Sequence, residues 1–349
     1  MPEASSPART PAALKRIVPD KLRLGDEIRV LALSRSLGGL KQHPGITEAD
    51  IEFARRRLES LGLRVTFGRH VMEANAHLTI PVRARLEDLY DALDNDAVKG
   101  ILAASGGMGA IQLLKQLDCR RFAAHPKILC GYSDIGFLCN AIYARTGLVT
   151  YYGPHFSTFT MRNGGDYTWR YFQACLFGSR PFEAIPSQEW SDDNWWADQE
   201  HRNYMPNEGW WGINDGEAEG TVIGGSFYCL NLLQGGEFFP PLKGAILFLE
   251  HPSEGKGSLM NLDGGIRALS FQPQFKHIRG IVIGRFAGNA GIDRGKMAAM
   301  IKDIPELARV PVVANCDFGH TSPMLTLPIG SKCRIKVTTD KTEITIFEH

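Results

Sequence analysis

The stretch Ile128-Leu129-Cys130-Gly131-Tyr132-Ser133-Asp134-Ile135-Gly136 decides how the rest of the chain is read. Three apolar residues meet a glycine, then a serine, and an apolar helix-like stretch from Ile135 to Tyr143 follows. A buried strand that turns sharply into a helix through a Gly-x-Ser step pushes the serine hydroxyl out at the tip. The backbone N–H groups behind it open a helix N-terminus, where developing negative charge is favoured. That is the setting an activated serine needs. The second glycine of the usual G-x-S-x-G elbow comes one residue late, at Gly136. Ser133 also suits a plain helix cap, so the stretch alone leaves both readings open.

Working outward, strands and helices alternate. Ile28 to Ser34 reads as a strand, and Thr47 caps a helix from Glu48 to Leu61 that stops at Gly62. Leu63 to Phe67 is a second strand, and Ile80 to Leu93 a second helix with Pro81 in its first turn. Lys99 to Ala104 runs into Ser105-Gly106-Gly107-Met108-Gly109 and a helix from Ala110 to Leu117. Lys127 to Gly131 then feeds the serine. Such alternation means a parallel sheet covered on both faces, with ligands beyond the carboxyl ends of its strands. Ser105–Gly109 and Ser133 both lie at such ends and should be neighbours.

Beyond residue 150 the texture changes. Thr150 to His155 reads as loop, and one helix fits before Phe177. Five of the six tryptophans (Trp190, Trp195, Trp196, Trp210, Trp211) fall between Pro186 and Gly220, a polar, turn-rich span. Thr221 to Ser226 reads as a turn entering a helix, Phe227 to Leu233. Ala245–Glu250, Gly280–Arg285 and Pro311–Asn315 read as strands, and Cys333 to Phe347 as a terminal hairpin. The expected fold is α/β: a lead-in over 1–20, an N-terminal parallel-sheet domain over 21–185, a Trp-rich loop or linker over 186–220, and a smaller β-rich C-terminal domain over 221–349.

Composition narrows the function classes. The 349 residues are 44% hydrophobic and 22% charged, a globular composition with ample core. A net charge of +1 gives no field that would steer the chain to nucleic acid or a membrane surface. No apolar run approaches the roughly 20 residues of a spanning helix. Seven scattered cysteines without a C-x-x-C pair point to reduced thiols in the cytoplasm, with no zinc site and no cofactor expected. Met1 to Lys15, rich in Pro, Ala and Ser, reads as disordered and not as a signal peptide.

A serine is a weak nucleophile until a base takes its proton, and that base is usually a histidine held by a carboxylate. His320 follows Asp317-Phe-Gly just beyond an apolar strand, and Glu250 ends another. A glutamate at the end of a buried strand calls for a partner. Each alone reads equally as a capping or ion-paired residue. The glycines of Ser105–Gly109 fit a phosphate cradle, a set of N–H donors for an oxyanion, or a plain tight turn. They lack the Lys-Ser/Thr of a P-loop and the spacing of G-x-G-x-x-G.

Together, Ala104–Gly109, Gly131–Gly136, Leu247–Glu250, Phe318–His320 and Thr326–Gly330 resemble the LD-carboxypeptidase family of serine peptidases. That family includes the microcin C self-immunity proteins. The resemblance covers about Leu24 to Ile346, with the blocks in the family's order. It implies a triad of Ser133 as nucleophile, His320 as general base and acid, and Glu250 orienting the imidazole. It further implies an oxyanion hole from the backbone N–H groups of Gly107 and Asp134, a triad split across two domains, and a homodimer. Ser105 stands where cell-wall carboxypeptidases commonly carry an Arg that meets a substrate carboxylate. The long tryptophan insertion is more like the immunity branch, in which an aromatic loop stacks on the substrate's base; packing of that loop onto the second domain or a dimer partner is the other reading. The expected substrate contacts are Ser105, Gly106, Met108, Trp195, Trp196 and Trp210.

The leading expectation is a serine peptidase that hydrolyses an amide in a small peptide or a peptidyl- or aminoacyl-nucleotide. Its alternatives are an LD-carboxypeptidase releasing a terminal D-residue from murein tetrapeptide, a nucleotide-binding protein without turnover, and a cysteine hydrolase using Cys130 or Cys139.

Overall fold

A computed structural model describes residues 15–42, 46–252, 255–338 and 341–349. The first half follows the apolar periodicity. Five strands, β1 (Glu27–Leu31), β2 (Arg64–Phe67), β3 (Val98–Ala103), β4 (Ile128–Cys130) and β5 (Thr150–Tyr152), are separated by helices. The helix Glu48–Ser60 starts at Thr47 in a capping box: the Thr47 side chain accepts from the Asp50 N–H, and the Asp50 carboxylate accepts from the Thr47 N–H. Val82–Asp94 begins directly after Pro81, whose fixed φ suits a helix start.

Eleven strands follow: β6 (Phe182–Ala184), β7 (Glu189–Trp190), β8 (Met205–Pro206), β9 (Trp211–Asn214), β10 (Gly216–Ser226), β11 (Ala245–Glu250), β12 (Gly280–Gly284), β13 (Val312–Cys316), β14 (Leu327–Ile329), β15 (Lys332–Val337) and β16 (Thr342–Phe347). The first sheet has the order β14-β5-β4-β3-β1-β2. Its neighbours are parallel except β14, which runs antiparallel to β5. The second has the order β6-β16-β15-β10-β11-β12-β13-β9. Here β10 to β13 are parallel and the flanking strands antiparallel. The fold is therefore α/β, with a parallel-sheet N-terminal domain and a β-rich C-terminal domain.

Several local expectations are corrected. Thr150–Tyr152 is a buried strand and not a loop, placed between β4 and β14. Thr221–Ser226 is the end of β10 and not a turn. Gly224 and Gly225 stay in the strand at φ +125° and +102°, and a Cβ at Gly224 would lie 2.1 Å from the Phe248 carbonyl oxygen. The span 186–220 is no free linker, because β9 and the start of β10 belong to the second sheet. Residues 1–14 of the expected lead-in lie outside the described residues. Within its last six, Ile17 already bridges Leu148.

The chain crosses between the domains more than once. β6 joins the second sheet and β14 returns to the first. One cluster of buried residues runs from Leu31 and Phe137 to Val222 and Ile281. Across it, the Asn140 amide donates to the Gly224 carbonyl (2.8 Å) and accepts from the Gly224 N–H (3.2 Å). Two sheets sharing one core hold their strand ends at a fixed separation, and those ends carry the residues considered next.

Candidate active site

Ser133 stands where β4 gives way to a helix. Gly131 turns the chain: a Cβ there would lie 2.9 Å from the Ala103 Cβ. Ser133 itself has φ +60°, a left-handed conformation that costs a non-glycine residue about 1–2 kcal/mol. A short 3-10 turn, Ser133–Ile135, leads into the helix Gly136–Thr146, so the hydroxyl sits at the positive end of that dipole. The Ser133 N–H is held by the Tyr152 hydroxyl at 3.0 Å.

Two remote segments converge on this serine. His320 Nε2 lies 3.0 Å from Ser133 Oγ, and His320 Nδ1 lies 2.7 Å from Glu250 Oε2. Glu250 ends β11 and is 1% exposed. Its second oxygen accepts the Tyr152 hydroxyl, so both oxygens of this buried carboxylate are bonded, as a buried charge requires. Gly319 makes the approach of His320 to Glu250 possible. It has φ +107°, and a Cβ there would stand 2.6 Å from Glu250 Oε2.

The glycine turn after β3 packs against the serine. A Cβ on Gly106 would meet Ser133 Cβ at 2.8 Å, and Gly107 adopts φ +135°. Gly106 and Gly107 thus pack beside the hydroxyl in a way no other residue could. The Asp134 carboxylate is turned inward, accepting from Ser34 Oγ (2.5 Å) and the Ala110 N–H (2.7 Å), which ties the two turns together. Buried Arg85 holds the Gly109 carbonyl at 2.9 Å.

A cleft of about 340 Å³ opens over Ser133 and His320, lined also by Arg35, Ser105, Gly106, Gly107, Trp195 and Trp196. Met108 faces a neighbouring depression of about 280 Å³. Trp210 is the exception among the expected contacts. It is only 8% exposed, and its indole N–H donates to Asp317 Oδ2 at 2.7 Å. It is an anchor and not a wall of the cleft. With it, Trp190 packs over Arg285, whose guanidinium pairs with Asp317 at 3.0 Å. Ser187 and Asn207 complete the cage around that carboxylate. The tryptophan insertion is therefore fastened to the strand end that carries His320, while Trp195 and Trp196 stay at the cleft.

Two cleft residues, Arg35 and His155, and the buried Tyr152 behind the cleft escaped the sequence reading. Arg35 brings a guanidinium. Tyr152 joins Glu250 to the Ser133 backbone. His155 is buried, stacked on Tyr132 at 4.1 Å, and Tyr132 in turn meets His320 at 5.2 Å. All three lie in stretches without a motif. Only the His155 side chain in Thr150–His155 offered a chemical signal, and the loop-like reading of that stretch hid it.

Burial, with the neighbouring His320, pushes the His155 pKa down to about 3. The Ser157 and Thr158 hydroxyls face its Nδ1 at 3.1 and 3.2 Å. The folded protein thus refuses a proton that the unfolded chain takes up below about pH 6.5. Unfolding binds that proton between pH 6.5 and 3, so this term of stability is fully present above pH 6.5 and is lost as pH falls. His155→Phe removes it. Relative to wild type, the variant should gain about 2 kcal/mol between pH 7 and pH 5 in urea titrations, from about 1.4 kcal/mol per pH unit per proton. Parallel curves would refute the assignment.

All seven cysteines are free and buried. Burial pushes the Cys139 thiol up to about 12 and the Cys130 thiol well above its ordinary value. Neither is a thiolate at neutral pH, which removes the cysteine alternative. Among the described residues, no group of three His, Cys, Asp or Glu side chains is placed to hold a metal ion. No helix there is long and apolar enough to cross a membrane.

The chain is similar to known proteins over most of its length. Family models for the LD-carboxypeptidase N-terminal and C-terminal domains match residues 28–153 and 219–335. YocD of Bacillus subtilis, which carries a carboxypeptidase name, is 46% identical over 94% of this chain and 99% of its own. The crystal structure of an MccF-like protein from Bacillus anthracis superposes with a TM-score of 0.92 at 44% identity, covering 95% of this chain and all of that one (100%). The Escherichia coli microcin C7 self-immunity protein MccF is 29% identical over 85% of this chain and 87% of its own. MccF has been solved with glutamyl sulfamoyl guanosine and with aspartyl sulfamoyl adenosine, both at a TM-score of 0.82 and 25% identity, covering 95% of this chain and 98% and 99% of those. This chain belongs to the LD-carboxypeptidase family and is a peptidase enzyme.

Proposed function

We propose that the protein is a serine peptidase in which Ser133, His320 and Glu250 form the triad, and that it cleaves the amide of a small aminoacyl- or peptidyl-nucleotide. The observation that carries this reading is the alignment of Glu250, His320 and Ser133 through contacts of 2.7 and 3.0 Å. Ser133 Oγ attacks the amide carbonyl while its proton passes to His320 Nε2. Glu250 holds Nδ1–H and stabilises the imidazolium. The oxyanion that forms faces the backbone N–H groups of Gly107 and Asp134, at the start of the Ser133 turn. His320 then gives its proton to the leaving nitrogen, an acyl-serine remains, and water activated by His320 releases the acid.

The nucleotide preference rests on Trp195 and Trp196 at the cleft and on the MccF complexes with sulfamoyl nucleosides. Stacking of a base on an indole contributes about 1–3 kcal/mol. Incubation with an aminoacyl sulfamoyl adenosine should give free amino acid and sulfamoyl adenosine by mass spectrometry. An intact substrate would count against the reading. Arg35 favours a second one: a guanidinium on the same cleft suits a free C-terminal carboxylate, as in a murein tetrapeptide. Release of the terminal D-residue from that peptide, with no action on the nucleoside, would select it. A cytoplasmic homodimer also belongs to the proposal, and light scattering on the purified chain reads its mass.

Tyr152 acts here as a positioning residue. Its hydroxyl serves the carboxylate and the strained serine backbone at once. Tyr152→Phe leaves a buried acceptor and a buried donor each short of a bond, at about 1–3 kcal/mol apiece. Steady-state assays should show kcat down about 10–100-fold with KM nearly unchanged. A fall in KM-dependent binding alone would assign it elsewhere.

A further inference from the structure

Ser133 sits on a saddle. The cleft already described lies on one side, and on the other is the depression of about 280 Å³ lined by Met108, Ile111, Phe137, Tyr228 and Leu232. Gly107, Ser133 and Pro252 line both, whereas His320 lines only the first. A substrate whose carbonyl sits at Ser133 must extend into both. The imidazole has to reach the leaving nitrogen, so the leaving group occupies the side of His320 and the tryptophans. The acyl group's side chain is left for the second side.

The chemistry of that side is apolar. Met108 is 81% exposed, Tyr228 52%, Leu232 50% and Ile111 38%. Four large apolar side chains facing water around one depression mark a binding surface. No Lys or Arg is among its described lining residues. The Asp134 carboxylate is turned away to Ser34 and Ala110. His251, also on the wall, is stacked on Phe227 at 4.5 Å, and burial lowers its pKa, so it is neutral at pH 7. Among the described lining residues an acidic side chain would find no cationic partner, while a leucyl, methionyl or phenylalanyl side chain would cover the exposed rim.

We propose that the depression walled by Met108, Ile111, Tyr228 and Leu232 is the acyl-side specificity pocket and takes an apolar residue, in contrast to the glutamyl and aspartyl ligands solved with MccF. The inference rests on the roles given to Ser133 and His320 above.

The test compares leucyl and aspartyl sulfamoyl adenosine, which differ only in the acyl side chain. Calorimetric binding is measured on Ser133→Ala protein, and turnover on wild type. The leucyl compound should bind about tenfold more tightly or better, the discrimination an apolar pocket achieves. Leu232→Arg, at a half-exposed position, should reverse that order in the same background; Met108→Arg is the second variant if the first is unstable. Preferred leucyl binding without turnover would leave the pocket standing and sink the peptidase mechanism. Equal or tighter aspartyl binding, binding of neither compound, or two arginine variants with unchanged preference would overturn the pocket.

Discussion

Ser133→Ala should lower kcat by about 10⁶-fold, the loss seen when a triad serine is removed, while circular dichroism and urea unfolding show a folded protein. The size follows from what the hydroxyl does. On the proposed mechanism it is the atom that forms the acyl bond; it lies 3.0 Å from His320 Nε2, whose Nδ1 lies 2.7 Å from Glu250, and all seven cysteines are buried. Stability should hardly change, because the hydroxyl's partner is a half-buried imidazole. The backbone adds a finer signature. Residue 133 has φ +60°, where glycine is at ease and alanine is not. Ser133→Gly should therefore be inactive yet more stable than Ser133→Ala by about 1 kcal/mol. Equal stability of the two would mean that the elbow is unstrained. Residual hydrolysis near the wild-type rate in either variant would move the nucleophile elsewhere.

Asp317→Ala should cost about 3–5 kcal/mol, the usual effect of removing one partner from a buried ion pair. Arg285 and Asp317 are both almost wholly buried. The deletion leaves the guanidinium without its counter-charge and strips bonds from Ser187, Asn207 and Trp210. In calorimetry the main transition should fall by about 4–7 °C. Asp317 also lies three residues before His320, and its cage fixes the insertion that presents Trp195 and Trp196. The folded fraction should thus show a raised KM as well as a lower kcat. Asp317→Asn keeps the shape and loses the charge, and should fall between. A melting point within 2 °C of wild type for Asp317→Ala, an interval well below the expected shift, would show the cage to be dispensable.

How much of this could be read beforehand varied with the kind of signal. The strand–serine–helix step was legible because apolar run, glycine and helix follow one another within nine residues. Glu250 and His320 were found as polar residues ending apolar strands, and the family resemblance then linked them. Their convergence depends on β11 and β13 lying one strand apart in a single sheet, a long-range pairing that local pattern does not encode. The same limit hid β14, three residues long, crossing into the first sheet. Thr150–Tyr152 is too short to show a period and runs into Gly153-Pro154, so it read as a loop and took Tyr152 and His155 out of view. The glycine pair 224–225 read as a turn because its reason is remote: the backbone passes against Phe248 and Asn140. Trp210 lies just before β9 and turns its indole N–H to buried Asp317, whereas Trp211 opens the strand and donates to Glu208 near the surface.

The proposed mechanism passes through a covalent acyl-serine at residue 133. It is tested most directly by acid-quenching the enzyme during turnover of an aminoacyl sulfamoyl adenosine, then measuring intact mass and mapping peptides. One added acyl group is expected on the peptide spanning Ile128–Gly136, located at Ser133 and missing when His320 is replaced by alanine. An acyl group on any other residue, or hydrolysis that persists in Ser133→Ala, would contradict it.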